Sequence, residues 1–510
     1  MYFSNGFSAW VSPLDRQRRP PVSMVGIELS NPCLRGGLVS IQPSIGRLVE
    51  SFGPLMGRRT FAKFSVLLLV WSLAPQRRTV TELIKTLRSL ERRQRRLEHG
   101  HHSSYHRFFS RDIWKMNRLG ARLGELLKPW LPAEGPITTV IDDCLFRRPG
   151  AAVLGNGFHH DPLATVSSGH HTQRVLAAGL DFVVFALVVP IPFMHAKAMA
   201  IPIAWELYRT PGTCPKDDHH TRPQLAVRLL KHVRTLWSDG RKVRVSVDDG
   251  YSCKEVLRNL PENVEIVGRL PPSARLTDPT VIQGKLGRPR VWGVDLPKPT
   301  EVAADDKRPW VTEEVKLYGK TMKVATKSQN VVWKSGRPDQ TLKMVITHDV
   351  QDRYAKDWFL FISAPTASAV EVVEAMGRRW TLETCFRDVK QTLGAETTCN
   401  GHKHTRKRGE AGGARKSGFV ADPKETPVAS ARTVPFAMLV YGLIVLWYLM
   451  WVEVNPFQPL EDVQRARRQA PWYRHKIKVS FADMHRTFNL AIHDQLDQLL
   501  PPQPLQLQPE

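Results

Sequence analysis

Three charged residues on one short stretch could act together. The segment Arg379-Trp380-Thr381-Leu382-Glu383-Thr384-Cys385-Phe386-Arg387-Asp388-Val389-Lys390 contains no Gly or Pro. Trp380, Leu382, Phe386, Val389 and then Leu393 recur close to helical spacing. On such a helix Arg379, Glu383 and Lys390 fall at i−4, i and i+7 and project to one side. A carboxylate flanked by two cations suits a site that holds a metal ion and grips phosphate, although alone it also describes a solvated salt-bridge stripe. Upstream, two β-branched runs each end in paired aspartates, Asp142-Asp143 and Asp248-Asp249. Such a pair by itself often just opens a turn. Strand ends can nevertheless converge in space when they are remote in sequence. A carboxylate from each strand end, joined by Glu383, would set three hard oxygen donors around one point, as magnesium or manganese requires. Two such ions serve in-line displacement at a phosphodiester. Arg379 and Lys390 would offset phosphate charge beside them.

Composition bounds the partner. The 510 residues allow two to four domains, and the formal charge is +25 with a pI near 10.0. An excess of that size argues for a polyanion, most simply nucleic acid. The six cysteines (Cys33, Cys144, Cys214, Cys253, Cys385, Cys399) are scattered without a C-x-x-C pair. That argues against a zinc site or a disulfide framework and fits a reducing compartment. No secretory signal is visible. The apolar runs Phe182–Met194 and Phe436–Val452 fall short of a membrane span and contain or adjoin prolines, so they read as a buried strand and a buried helix.

The elements that would position these residues follow in order. Residues 1–47 lack periodicity and read as a disordered tail. Residues 48–130 read as a small helical DNA-binding domain. Thr79 and Glu82 form a capping-box pattern there, and Leu83, Leu87 and Leu90 share one face. Arg88, Arg92, Arg93, Arg95 and Arg96 then supply a basic run, and Tyr105–Phe109 and Trp114-Lys115 interleave aromatics with cations. Residues 131–269 read as three strands, a helix over Pro223–Trp237, a strand over Lys242–Asp248, a short helix and a further strand. Residues 270–356 form a β-rich, turn-rich insertion. Gly319-Lys320-Thr321 within it resembles the end of a P-loop, but Glu314 stands where that loop needs Gly, so a nucleotide site is rejected. Residues 357–398 return to a strand and the helix bearing Glu383. Residues 399–434 read as a flexible basic loop, 435–500 as a packed helical region that includes Trp472-Tyr473, and 501–510 as a disordered tail. The pairs His159-His160, His170-His171 and His219-His220 lack zinc spacing and are set aside.

The spacing of the charged residues resembles that of insertion-sequence transposases of the DDE class, specifically those with a Y-x2-R-x3-E-x6-K signature. Arg379, Glu383 and Lys390 match it, while Met376 occupies the tyrosine position. Asp142-Asp143-Cys144 resembles that family's Asp-x-Thr motif, with Cys144 for threonine, and Asp248-Asp249-Gly250-Tyr251 its Asp-x-x-Tyr motif. Both motifs select the first aspartate of each pair. Strand alternation independently favours Asp248 but does not separate Asp142 from Asp143. The resemblance implies an α/β fold: an RNase H-like catalytic core with a β-rich insertion, preceded by the helical DNA-binding domain. It also implies Asp142, Asp248 and Glu383 as catalytic metal ligands, with magnesium or manganese as cofactor. Cut-and-paste transposition would follow, with double-stranded DNA (terminal inverted repeats and target) bound by a homodimer in the bacterial cytoplasm, on the nucleoid and away from membranes. Two rivals share the basic surface. One is a catalytically inactive, transposase-derived DNA-binding protein, which the intact acidic residues oppose and the Met376 and Cys144 departures favour. The other is a metal-dependent nuclease that does not transpose.

Overall fold

The computed structural model describes residues 43–495 apart from 76, 95–100, 149–152, 162–163, 165, 169–170, 195–196, 235–239, 282–288, 351–356 and 399–426. The first elements among the described residues are helices α1 (Ile45–Glu50), α2 (Arg58–Leu73), α3 (Val80–Gln94), α4 (His102–Ser110) and α5 (Met116–Leu127). Strands β1 (Ile137–Arg147), β2 (Gly157–His160), β3 (Val166–Ser168), β4 (His171–Gln173), β5 (Leu176–Pro190) and β6 (Ala198–Tyr208) follow. Helix α6 (Arg222–Arg234), strand β7 (Val243–Val247), helix α7 (Lys254–Arg258) and strand β8 (Val264–Arg269) come next.

Among these, β6, β5, β1, β7 and β8 lie side by side in that order. The β6/β5 and β5/β1 pairs are antiparallel, and the β1/β7 and β7/β8 pairs are parallel. That is the strand order of an RNase H-like core, with α6 and α7 as its crossover helices. Strand β5 reads as an almost unbroken apolar run because it is buried on both faces, with β6 and β1 as its neighbours.

The insertion is β-rich, as expected, and continues the same sheet. It contains β9 (Leu276–Thr277), β10 (Asp295–Leu296), helix α8 (Pro299–Ala304), β11 (Val311–Leu317), β12 (Lys320–Trp333) and β13 (Thr341–Asp349). Strand β14 (Trp358–Ile362) bridges β13 to β8, so among the described residues the sheet runs to twelve strands. The P-loop-like Gly319-Lys320 is a hairpin turn: Tyr318 and Gly319 both have positive φ (54° and 75°), which suits the right-handed twist of β11 and β12.

After β14 come α9 (Ala369–Arg378), α10 (Trp380–Gln391), α11 (Val428–Val454), α12 (Gln458–Gln469) and α13 (Phe481–Asp494). Helix α11 is apolar all round because other elements cover it: 94% of its most apolar window is buried. Its Phe436 ring packs against Phe64, Trp71 and Phe109 at centroid distances of 5.9, 5.2 and 5.4 Å. The first helices and the last ones therefore share one core.

Four local expectations need correction. Residues 43–47, assigned to the tail, are ordered, and Ile45 is fully buried at the start of α1. Residues 428–434, assigned to the basic loop, begin α11, where Arg432 donates to the carbonyls of Phe109, Asp112 and Trp114. A cation inside a basic stretch thus became a helix anchor once three carbonyls faced it. Tyr105, Phe108, Phe109 and Trp114, read beside cations as a DNA face, are core residues. Trp472 and Tyr473, expected to be packed, are exposed.

Candidate active site

Strand register builds the site. In the parallel β1/β7 pair the last partners are Ile141 and Val247, so Asp142 and Asp248 are the next residues on adjacent strands. Alternation along β1 sends Thr138 and Asp142 to the α9/α10 side, where Arg378 meets Thr138 Oγ1 at 3.2 Å. Asp143 turns to the opposite face. The two aspartates that strand alternation could not separate are separated by their partners.

Arg379 forms the joint between α9 and α10, so α10 starts one residue later than the sequence reading had it. Its guanidinium is buried and meets all three acids. Nη1 donates to Asp142 Oδ2 at 2.5 Å, and Nη2 donates to Glu383 Oε1 at 2.7 Å and lies 3.9 Å from Asp248 Oδ1. Glu383 sits in the first turn of α10, where the helix dipole favours a carboxylate. The second Asp142 oxygen accepts from the Asp143 amide at 2.9 Å. Among the described residues no three His, Cys, Asp or Glu side chains are gathered tightly enough to make a ready metal cage. Here the Arg379 guanidinium stands between the carboxylates.

One guanidinium does not balance three carboxylates. Burial pushes the Asp142 carboxyl well above its ordinary range; Arg379 opposes this, while Asp248, Asp143 and Glu383 add to it. Burial also raises Glu383, with Arg379 opposing and Asp248 adding. A group of hard oxygen donors with surplus negative charge is what a divalent cation relieves.

A second network lies on the other face of β1. Tyr251, three residues after Asp248, donates its hydroxyl to Asp143 Oδ1 at 2.7 Å. Arg222 on α6 reaches Asp143 at 3.3 Å and donates through Nε to Asp181 Oδ2 at 2.7 Å. Burial and the neighbouring Asp181 push the Asp143 carboxyl up to about 6, with Arg222 and the Tyr251 hydroxyl opposing. His159 lies 3.7 Å from Asp181, and burial followed by Arg222 lowers its ring to about 4. It is a neutral core histidine. The sequence reading missed Arg222, Asp181 and the Tyr251 contact. An aspartate inside the apolar run of β5 was the available signal for Asp181.

Lys390 lies on α10 as expected. Its ammonium donates to the Leu145 carbonyl at 2.7 Å, sits 3.6 Å from Glu396, and lies over the Phe146 ring. It pins α10 to the far end of β1. Met376, at the signature's tyrosine position, is fully buried in the apolar cluster under α9 and does not reach the carboxylates. Cys144, in the threonine position, is a half-buried thiol that burial pushes up to about 12. Arg88 is exposed on α3. Arg92 and Arg93 fall in the last turn of α3 with side chains outside the described residues, and Arg95 and Arg96 lie outside them altogether. Most of Gly284–Arg290, and His170, also lie outside.

An RNase H-like sheet presenting an acidic trio beside buried arginine defines a class of enzyme that cuts phosphodiester bonds in nucleic acid. The family model of the DDE superfamily endonucleases matches residues 51–337, more than half of the chain, and the chain belongs to that family. Its members are metal-dependent nucleases that act on DNA. The match includes Asp142 and Asp248 and stops before Glu383. No curated protein matches the chain.

Proposed function

We propose that this chain is a DNA transposase, which hydrolyses phosphodiester bonds at the ends of a mobile element and joins the freed 3′-hydroxyls to target DNA. Asp142, Asp248 and Glu383 are assigned as the ligands of two divalent ions. Their all-oxygen chemistry suits magnesium, with manganese as a substitute. When bound, the ions supply the Lewis acidity that activates the attacking oxygen and stabilises the leaving one. The chain's own residues do the positioning. Arg379 orients Asp142 and Glu383. Tyr251 holds the Asp248 turn against β1 through Asp143, and Lys390 keeps α10 on the same strand.

The observation that carries this reading is the convergence of three sequence-distant carboxylates on one guanidinium. Double-stranded DNA with inverted terminal repeats, a homodimer on paired ends and a cytoplasmic, nucleoid-associated location extend the reading by resemblance, and DNA contact by the helical residues 48–130, Arg92, Arg93, Arg95 and Arg96 among them, extends it from the basic charge of that stretch. An inactive DNA-binding relative is disfavoured because the acidic trio and its arginine are intact. The test is nicking of supercoiled plasmid with magnesium or manganese, comparing wild type with Glu383→Gln. The variant should keep DNA binding and lose cutting. A variant that still cuts, or that loses binding but not cutting, refutes the assignment. Strand-transfer products from a pre-cut element end separate a transposase from a nuclease that does not transpose.

A further inference from the structure

The C-terminal helices carry a surface that the catalytic reading leaves unused. From Gln464 to Lys478 the chain has Arg465, Arg467, Arg468, Arg474, Lys476 and Lys478 and no acidic residue. Trp472 is 78% exposed and Ile477 75%, with Arg467, Arg468 and Arg474 exposed around them. This strap is built. Arg467 Nε donates to the Lys476 carbonyl at 2.7 Å, Pro471–Tyr473 forms a helical turn, and the Lys476 ammonium lies over the Tyr473 ring and pairs with Asp483 at 2.5 Å. A large indole held out by a braced strap is not a frayed end.

Six cations thus crowd onto the stretch from Arg465 to Lys478, and Arg467, Arg468 and Arg474 among them are exposed. Crowding like charges is unfavourable, and a polyanion relieves it. A second copy docking through this same face would add the same sign of charge and is disfavoured.

We propose that this surface binds single-stranded DNA, its cations on backbone phosphates and Trp472 stacked on an unpaired base. The combination of a basic track and an exposed aromatic platform is what single-stranded nucleic acid recognises. The proposal rests on the DNA-cutting reading above.

Anisotropy of a fluorescein-labelled single strand, measured in EDTA, keeps binding apart from cutting. The triple variant Arg468→Ala/Arg474→Ala/Lys478→Ala should weaken binding on the order of tenfold, and its salt dependence should flatten by about 0.7 in log–log slope for each phosphate no longer neutralised. Trp472→Ala should weaken binding about fivefold or more with the slope unchanged. Thermal melts of both variants should match wild type, because Arg468, Trp472 and Arg474 are exposed and Lys478 is partly exposed. Wild-type affinity in both variants overturns the proposal. So does a loss of self-association with DNA affinity unaltered. Plasmid nicking by the wild type reports separately on the nuclease: cutting with unimpaired variants sinks the surface alone, and weakened variants of a protein that never cuts sink the nuclease alone.

Discussion

Replacing Arg379 with Gln tests whether its charge holds the acidic trio together. The Arg379 side chain is 5% exposed and Asp142 12%, whereas Glu383 and Asp248 are 33% and 37% exposed. Removing one partner of a buried ion pair costs about 3–5 kcal/mol, because the other charge is left buried without compensation. Solvent screens the shares of Glu383 and Asp248, so most of the effect belongs to Asp142. Asp142 can also take up a proton, which caps the loss, and about 3 kcal/mol is the expected cost near neutral pH. Urea denaturation in EDTA, at unchanged m-value, measures it. Manganese should then stabilise Arg379→Gln more than wild type, because a cation binding the folded state takes over the missing charge. Arg379→Lys should fall between, since an ammonium lacks the planar fork that reaches two carboxylates at once. If Arg379→Gln unfolds at the wild-type midpoint in EDTA, or gains no more from manganese than wild type does, the electrostatic account of the site is wrong.

Three further outcomes follow from the same geometry. Tyr251→Phe removes the hydroxyl that ties the Asp248 turn to Asp143; metal affinity, read by manganese-dependent thermal shift, should drop about 10–100-fold with the fold retained. Asp143→Asn should stabilise the protein above pH 6. A carboxyl raised from 3.8 to about 6 in the folded state carries a cost that is fully present above pH 6 and fades as pH falls towards 3.8. The ceiling is about 3 kcal/mol, reduced by the partial exposure of the side chain and by the lost Arg222 pairing. The melting difference between Asp143→Asn and wild type should therefore shrink from pH 8 to pH 4, and a difference independent of pH contradicts the shift. Gly120→Ala should destabilise by about 1–3 kcal/mol or more in chemical denaturation, because a Cβ there would sit 1.9 Å from the Ile203 carbonyl where α5 crosses β6.

Much of the architecture was legible in local pattern. The apolar run of β5, the alternation before Asp248 and the 3.6-residue spacing after Trp380 each depend on near neighbours in the chain. They point to a buried strand within Phe182–Met194, a strand over Lys242–Asp248 and a helix over Arg379–Lys390, and the structure has β5 at Leu176–Pro190, β7 at Val243–Val247 and α10 at Trp380–Gln391. What local pattern could not do was choose between Asp142 and Asp143, since both sit in one strand and differ only in the face they reach. That choice depends on which helix covers which face: α9 and α10 bring Arg379 to one, and α6 brings Arg222 to the other. The same limit explains the errors. Aromatics beside cations look alike in sequence whether they are core, as at Tyr105–Phe109, or surface, as at Trp472. The type and order of the elements came from the chain itself, because periodicity is a short-range property. The partner of each charge was decided by tertiary packing, because burial and ion pairing depend on residues hundreds of positions away.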